Sequence, residues 1–285
     1  MAVAPKSPPQ LRARPVSDRG EIAAFLRTDR LYAAYALGDL DGPNHQRVAW
    51  GIAYEGGSPV ALAMHHEGLV PQPLFLMGDP AGCRQILSSV LKPRDAYFQG
   101  SAELTQAAAS LYDLEPPTAM LRMVTDRAGF RHFAGPAERL SALDVEELNR
   151  LYQLGFRAGF PAAVLDEGVY FGVRVRGRLV SAAGTHAINV REGIAVVGNV
   201  MTHVDYRGHD FAKMVTSAVT AELLERVPDV TLNVHADNVP AVAAYVRLGY
   251  RTHCELVECL GRRKSGGWGI MRPIREAMRL TWPRE

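Results

Sequence analysis

Two periods of apolar residues alternate along this chain, and each change of period marks an element. Residues 211–226 carry the strongest helical pattern: Phe211, Met214, Val215, Ala218, Val219, Leu223 and Leu224 recur at i, i+3 and i+4. Residues 145–154 repeat that period through Leu148, Leu151 and Tyr152. Residues 240–248 give a third helix, opened by Pro240, where a missing N–H costs nothing. Between the helices the apolar runs are short. Residues 169–175 and 179–190 flank Arg176-Gly177-Arg178 and read as a hairpin with glycine at its tip. Residues 194–202 (IAVVGNVMT) are apolar enough for a strand buried on both faces. Residues 138–144, 230–234 and 250–260 add short strands, and 155–168 read as a loop or broken helix. From 138 onward the order is β-α-β-β-β-α-β-α-β.

The first half echoes this order. Residues 11–16 read as a strand, 19–35 as a helix, and 50–54 with 60–66 as a hairpin around Gly56-Gly57. A strand at 74–77, a helix over 80–91, a strand at 96–98 and a helix over 103–114 follow. Trp50-Gly51 and His66 stand 121 and 120 positions before Phe171-Gly172 and His186. Self-similarity at so long an offset points to a duplicated domain. The plainer alternative is two α/β halves that resemble each other by chance. Two glycines and a proline in 129–138 (GFRHFAGPAE) place a linker there. The expected organisation is a flexible leader at 1–10, an N-terminal α/β domain at 11–130, a second domain at 136–262 and a tail at 263–285.

Composition narrows the classes without choosing one. The chain has 285 residues, about two domains' worth, and 47% hydrophobic against 22% charged residues suits a folded protein. With 32 Lys+Arg and 30 Asp+Glu the net charge is +2, which gives no reason to expect nucleic acid or an anionic membrane as partner. Cys83, Cys254 and Cys259 form no Cys-x-x-Cys pair, so neither a disulfide framework nor a metal site is expected, and a reducing cytoplasm is the default compartment. Apolar stretches fall short of the ~18–20 residues that span a bilayer. Pro5, Pro8 and Pro9 without an apolar run mark a leader and not a signal peptide. The basic run Arg262-Arg263-Lys264 reads as solvated. The tail, with a short helix expected at 274–280, could pack on the N-terminal half or on a second subunit.

The candidate chemistry sits in two stretches. Residues 200–213 read V-M-T-H-V-D-Y-R-G-H-D-F-A-K: an apolar strand, a short polar turn, then the best helix of the chain. A helix N-terminus offers unpaired N–H groups and a positive dipole end, and Gly208 and Arg207 suit the approach of a phosphate. An ordinary turn with Asp210 as helix N-cap fits the same residues. Residues 232–250 read L-N-V-H-A-D-N-V-P-A-V-A-A-Y-V-R-L-G-Y. Taken together, in this order and at this separation, the two stretches resemble the GNAT superfamily of N-acetyltransferases. Asn238, Ala241, Tyr245, Gly249 and Tyr250 fill its Asn-x-x-Ala-x-x-x-Tyr-x-x-x-Gly-Phe/Tyr motif. Arg207 and Ala212 fill the ends of its Arg/Gln-x-x-Gly-x-Gly/Ala loop, while Asp210 stands at the central glycine. That carboxylate opposes phosphates electrostatically, and a protonated His209 beside it offsets the effect. The N-terminal half has no Arg-x-x-Gly loop and would be a degenerate copy.

The resemblance implies a mixed, mostly antiparallel sheet flanked by helices, in tandem, and acyltransferase activity with acetyl-CoA or another acyl-CoA as co-substrate. It implies that the backbone of Val200, Met201 and Thr202 pairs with the pantetheine arm. Arg207, Gly208, His209, Asp210, Phe211, Ala212 and Lys213 form the pyrophosphate loop, Asn238 bonds the cofactor, and Tyr245 is the general acid for the leaving thiolate. Tyr250 is expected to be core packing. Many relatives carry a Glu on the strand before the loop, but 194–202 holds no carboxylate. Asn199, His203 and His186 are the base candidates, beside a water relay or an acceptor that arrives neutral. Asp166, Glu167 and residues 156–160 could border a small-molecule amine acceptor. A non-catalytic acyl-CoA sensor and a domain that kept only the fold are the competing readings.

Overall fold

The computed structural model describes residues 10–41, 45–154 and 160–264. They form two compact units. The N-terminal unit holds the residues up to Met120 together with the segment from Glu255, and the C-terminal unit runs from Leu121 to Cys254.

The N-terminal unit contains β1 (Arg12–Val16), α1 (Arg19–Leu26), α2 (Ala34–Asp41), β2 (Val48–Glu55), β3 (Ser58–His66), β4 (Pro73–Gly78), α3 (Pro80–Ser89), β5 (Asp95–Gly100), α4 (Ala102–Ala108) and β6 (Tyr112–Leu114). Next, β7 (Thr118–Asp126) runs from this unit into the other. The C-terminal unit continues with β8 (Glu138–Arg139), α5 (Val145–Tyr152), α6 (Ala163–Glu167), β9 (Tyr170–Val175), β10 (Arg178–Asn189), β11 (Ile194–Thr202), α7 (Phe211–Arg226), β12 (Asp229–His235) and α8 (Val239–Arg247). Last, β13 (Arg251–Arg263) starts there and ends in the N-terminal unit.

The duplicated order is carried by pairing as well as by sequence. In the N-terminal unit β1–β2, β2–β3 and β3–β4 are antiparallel and β4–β5 is parallel. In the C-terminal unit β8–β9, β9–β10 and β10–β11 are antiparallel and β11–β12 is parallel. The parallel pair needs a crossover helix, which is α3 in one unit and α7 in the other. Trp50-Gly51 and Phe171-Gly172 lie on β2 and β9, and His66 and His186 on β3 and β10.

The core of the C-terminal unit packs Val215, Val219 and Leu223 of α7, with Tyr245 and Leu248, against Ala195, Val197, Val230 and Leu232. Each such aliphatic side chain contributes about 1.5–3 kcal/mol when fully buried. A second cluster sets Leu148, Leu151 and Tyr152 of α5 against Tyr170, Leu179 and Ala182. In the N-terminal unit Ile86, Leu87 and Leu104 pack on Ala63, Leu74, Leu76 and Phe98.

Several expectations are corrected. The helix expected over 19–35 ends at Leu26 in α1; a 3-10 turn at Arg27–Asp29 follows, and α2 starts only at Ala34 and runs on to Asp41. The one over 103–114 stops at Ala108, and its end is β6. The strand β7 was not anticipated, because Arg122 interrupts its apolar run; that arginine is buried and its Nε donates to Asn233 Oδ1 at 2.9 Å. The units also divide differently from 11–130 and 136–262. Residues 121–135 lie in the second unit and 255–262 in the first, since β7 lies beside β12 and β13 beside β5. The supposed linker is packed along α7. The Phe133 N–H donates to Ser217 Oγ at 2.8 Å, and Arg127 Nε donates to the Leu224 carbonyl at 2.6 Å near the end of the helix. Gly249 is required by this strap: its φ is 88°, and a Cβ there would stand 1.9 Å from the Gly129 carbonyl oxygen. The leader through residue 9, the helix expected at 274–280 and residues 156–159 of the acceptor border lie outside the described residues.

Candidate functional site

The site is built where β11 and β12 part. Their parallel ladder runs from Ile194↔Asp229 to Val197↔Leu232 and stops, although β11 continues to Thr202 and β12 to His235. The cause lies in the next residues. Asn199 takes a left-handed backbone with φ 55°. Tyr152 OH donates to its carbonyl at 2.6 Å, and its Nδ2 donates to Tyr170 OH at 3.4 Å. Tyr170 OH in turn donates to the Thr185 carbonyl at 3.0 Å. This bulge bends β11 while Met201↔Ala182 and Thr202↔Ser181 keep pairing with β10. Val200, Met201 and Thr202 therefore form a strand edge, with no β12 partner among the described residues.

The loop after β11 folds back on itself. The His203 N–H donates to the Val180 carbonyl at 2.8 Å, and its Nδ1 accepts from the Asp205 N–H at 3.3 Å. Gly208 has φ 78° and open space around its Cα, as a close ligand approach requires. His209 stacks on Phe211 at 5.6 Å, and its Nδ1 lies 2.9 Å from the Arg207 carbonyl. Asp210 occupies the N-cap position of α7 with φ 60°, but its side chain caps nothing. Its Oδ1 instead lies 3.0 Å from Lys213 Nζ. The first turn of the helix begins with the Met214 N–H on the Asp210 carbonyl. The N–H groups of Phe211, Ala212 and Lys213 have no acceptor among the described residues. Open donors at a positive dipole end are the arrangement that suits an anion.

The second stretch lies at the same strand ends. Asn238 caps α8, with Oδ1 accepting from the Ala241 N–H at 3.2 Å, which leaves its Nδ2 as a donor. Tyr245 is buried, and its hydroxyl bonds to no described residue, nor is it among the polar atoms sealed from solvent. Burial pushes the phenol up to about 12. Tyr250 lies 6.0 Å from it, ring to ring, and pairs its hydroxyl with Thr220 Oγ1 at 2.7 Å, so it packs as expected.

The base candidates separate. Asn199 forms the bulge, and the Nδ1 of His203 is used inside its turn. His186 lies beside Gly198, where a Cβ would stand 3.1 Å from His186 Cβ. The residue is exposed, and the protein packed around its ring, with the Arg122 cation as a smaller cause, pushes its pKa down to about 4. Asp166 holds the Ala142 N–H at 3.3 Å, a local structural bond, and Glu167 is exposed. Phe160 packs on Tyr152 at 5.0 Å. The sequence analysis gave Arg122 no place and read Tyr152 only as an apolar position of its helix; a single arginine in an apolar run was the available signal.

In the N-terminal unit the equivalent place is occupied by the protein itself. Asp79 caps α3, with Oδ1 accepting from the Gly82 N–H at 2.7 Å, and Pro80 removes another donor. Tyr32 OH bridges the parallel strands, donating to the Leu76 carbonyl at 2.8 Å and accepting from the Ser101 N–H at 3.0 Å. A cavity of about 910 Å³ in that unit, lined by Arg14, Trp50, His65 and Lys92 among others, meets the C-terminal end of α3 at Ser89 and not its N-terminus. Among the described residues, no group of three or more His, Cys, Asp or Glu is placed to hold a metal ion. No helix among them is long and apolar enough to cross a membrane.

Residues 171–258 match the family model described as FR47-like protein, which is GNAT-related. A Drosophila melanogaster protein is similar in structure, with a TM-score of 0.63 and 14% identity over 88% of this chain and 98% of that one. A GCN5-related N-acetyltransferase from Sphaerobacter thermophilus gives 0.55 and 15% over 89% and 95%. A tandem GNAT protein from the clavulanic acid biosynthesis pathway gives 0.53 and 14% over 89% and 98%. No curated protein matches the sequence. At these identities the likeness establishes the fold: a tandem GNAT arrangement of mixed, mostly antiparallel sheets flanked by helices.

Proposed function

We propose that the C-terminal unit transfers an acetyl or other acyl group from acyl-CoA to the primary amine of a small-molecule or amino-acid-like acceptor. The observation that carries this is the parting of β11 and β12 beyond Val197 and Leu232, beside the uncapped N-terminus of α7. An extended arm can add to the free edge of Val200–Thr202 as a strand would. The diphosphate is then held by the N–H groups of Phe211, Ala212 and Lys213, with Arg207 as a cation and Gly208 giving room. Asn238 Nδ2 supplies a further donor.

The neutral amine nitrogen attacks the thioester carbonyl carbon, the C–S bond breaks, and the amide keeps the acyl group. The leaving sulfur takes a proton as the nitrogen loses one. Tyr245 serves the sulfur as general acid. With its pKa near 12 the phenol stays protonated at every working pH and hydrogen-bonds the developing thiolate. It is a weaker acid than a thiol near 8.5, so it gives its proton to sulfur only as it takes one back, and the proton that ends on sulfur is balanced by the one lost from nitrogen. His186, held near 4, is neutral but a weak base, and the acceptor is best delivered as the free amine.

The test is the unfolding midpoint with and without acetyl-CoA, followed by thiol release against a panel of amines. At about 100 times the dissociation constant, binding stabilises the fold by ~2.7 kcal/mol. No shift with any acyl-CoA overturns the proposal. Binding without turnover supports a second reading, an acyl-CoA sensor, which is favoured by the absence of any carboxylate on β11.

A further inference from the structure

Asp210 stands where the resemblance expects a glycine, and its carboxylate faces the same loop as the proposed diphosphate. Its side chain is 55% exposed, but the partner is not: Lys213 is 6% exposed, with Nζ 3.0 Å from Asp210 Oδ1. The ammonium lies 3.9 Å from the centroid of the Phe133 ring. Phe133 is itself fixed by its N–H bond to Ser217 Oγ. A buried, ring-stacked cation thus holds an exposed anion at the first turn of α7, and its own N–H is one of the open donors. The remaining charges of the loop are Asp205, Arg207 and His209, all exposed.

We propose that Lys213 is a positioning residue that neutralises Asp210, so that an acidic turn accepts the diphosphate of acyl-CoA and the pair sets its affinity. This inference rests on the acyl-CoA reading. A carboxylate left without its counter-charge beside a diphosphate weakens binding by about tenfold. A carboxamide in its place leaves Lys213 as a net cation and strengthens it. Asn tolerates the left-handed backbone at this position, so the turn is kept.

The experiment is calorimetric binding of CoA and of S-acetylpantetheine, which lacks the diphosphate, to the full chain and three variants. Lys213→Met is expected to weaken CoA about tenfold, and Asp210→Asn to tighten it severalfold. The double variant Asp210→Asn with Lys213→Met is expected to return to within about threefold of the wild type. S-acetylpantetheine binding is expected to stay constant throughout. A double variant that stays as weak as Lys213→Met, or an equal loss for S-acetylpantetheine, overturns the inference. Should Lys213→Met fail to fold, Asp210→Asn decides by itself: unchanged or weaker CoA binding overturns it. Absence of CoA binding by the wild type removes the acyl-CoA reading and this inference with it. Unchanged binding in the variants removes this inference alone.

Discussion

The two crossover helices begin in opposite ways. Asp79 spends its carboxylate on the Gly82 N–H and Pro80 deletes a donor, so α3 has little left for an anion. Asp210 turns its carboxylate to Lys213 instead, and α7 keeps its first donors open. The strands below follow suit. Tyr32 ties Leu76 to Ser101 across β4 and β5, whereas the bulge at Asn199 separates β11 from β12. The exchanged strands bring opposite charges to matching places. Glu258 on β13 accepts from Gln99 at 3.2 Å and from Tyr97 at 2.6 Å, and Arg122 on β7 donates to Asn233. One topology thus gives one helix start capped by its own side chains and another whose first donors have no acceptor among the described residues. Where a side chain spends its hydrogen bonds decides which is which.

The largest effect is expected at the Tyr245 hydroxyl, which bonds to no described residue and is not sealed from solvent. Tyr245→Phe should lower kcat by about 10²–10⁴-fold and leave CoA affinity within about threefold, read by steady-state thiol release and calorimetry. A retained full rate would sink the role given to Tyr245. Next comes the strap. Gly249→Ala should destabilise the C-terminal unit by ~3 kcal/mol or more, read by denaturant unfolding, because the new Cβ meets backbone that cannot yield.

The units should also answer pH in opposite directions. Burial raises Asp39 to about 7, above its ordinary 3.8. Its contribution to stability is present below about pH 4 and lost as pH rises through 7, and Asp39→Asn should stabilise the chain at pH 8 by up to ~4 kcal/mol. His186 is depressed to about 4, mainly by its protein surroundings. Its contribution is present above about pH 6.5 and lost as pH falls through 4, and because the residue is exposed it is small beside that of Asp39. NMR titration of His186 showing an ordinary histidine value would erase that half of the contrast. The smallest effect is at α3: Asp79→Ala should cost ~1 kcal/mol by loss of the cap and leave CoA binding unchanged. A gain of CoA binding there would mean that the cap alone keeps the N-terminal unit closed.

The helix period of 211–226, the loop 207–212 and the Asn238–Tyr250 motif were legible because each is a local pattern, with its partners within a few residues. The matching offsets of Trp50-Gly51 and His66 to Phe171-Gly172 and His186 fall on corresponding strands for the same reason. Asp79-Pro80 was equally local and could have been read as a self-capped helix start. Strand exchange was not legible. Nothing within 118–126 or 251–263 says which sheet edge each strand joins, because a strand's partner is set by pairing across more than a hundred residues. Nor does Asp210 alone announce a neutralised charge, since Lys213 is held in place by Phe133 from a segment that reads as a linker. By itself the sequence determined most of the order of elements, pointed to the repeat and exposed the chemistry-bearing motifs, all of which follow from short-range periodicity and backbone stereochemistry. Only the tertiary structure decided which helix N-terminus is open, which strands part and which charges cancel, because those depend on side chains that meet from distant parts of the chain.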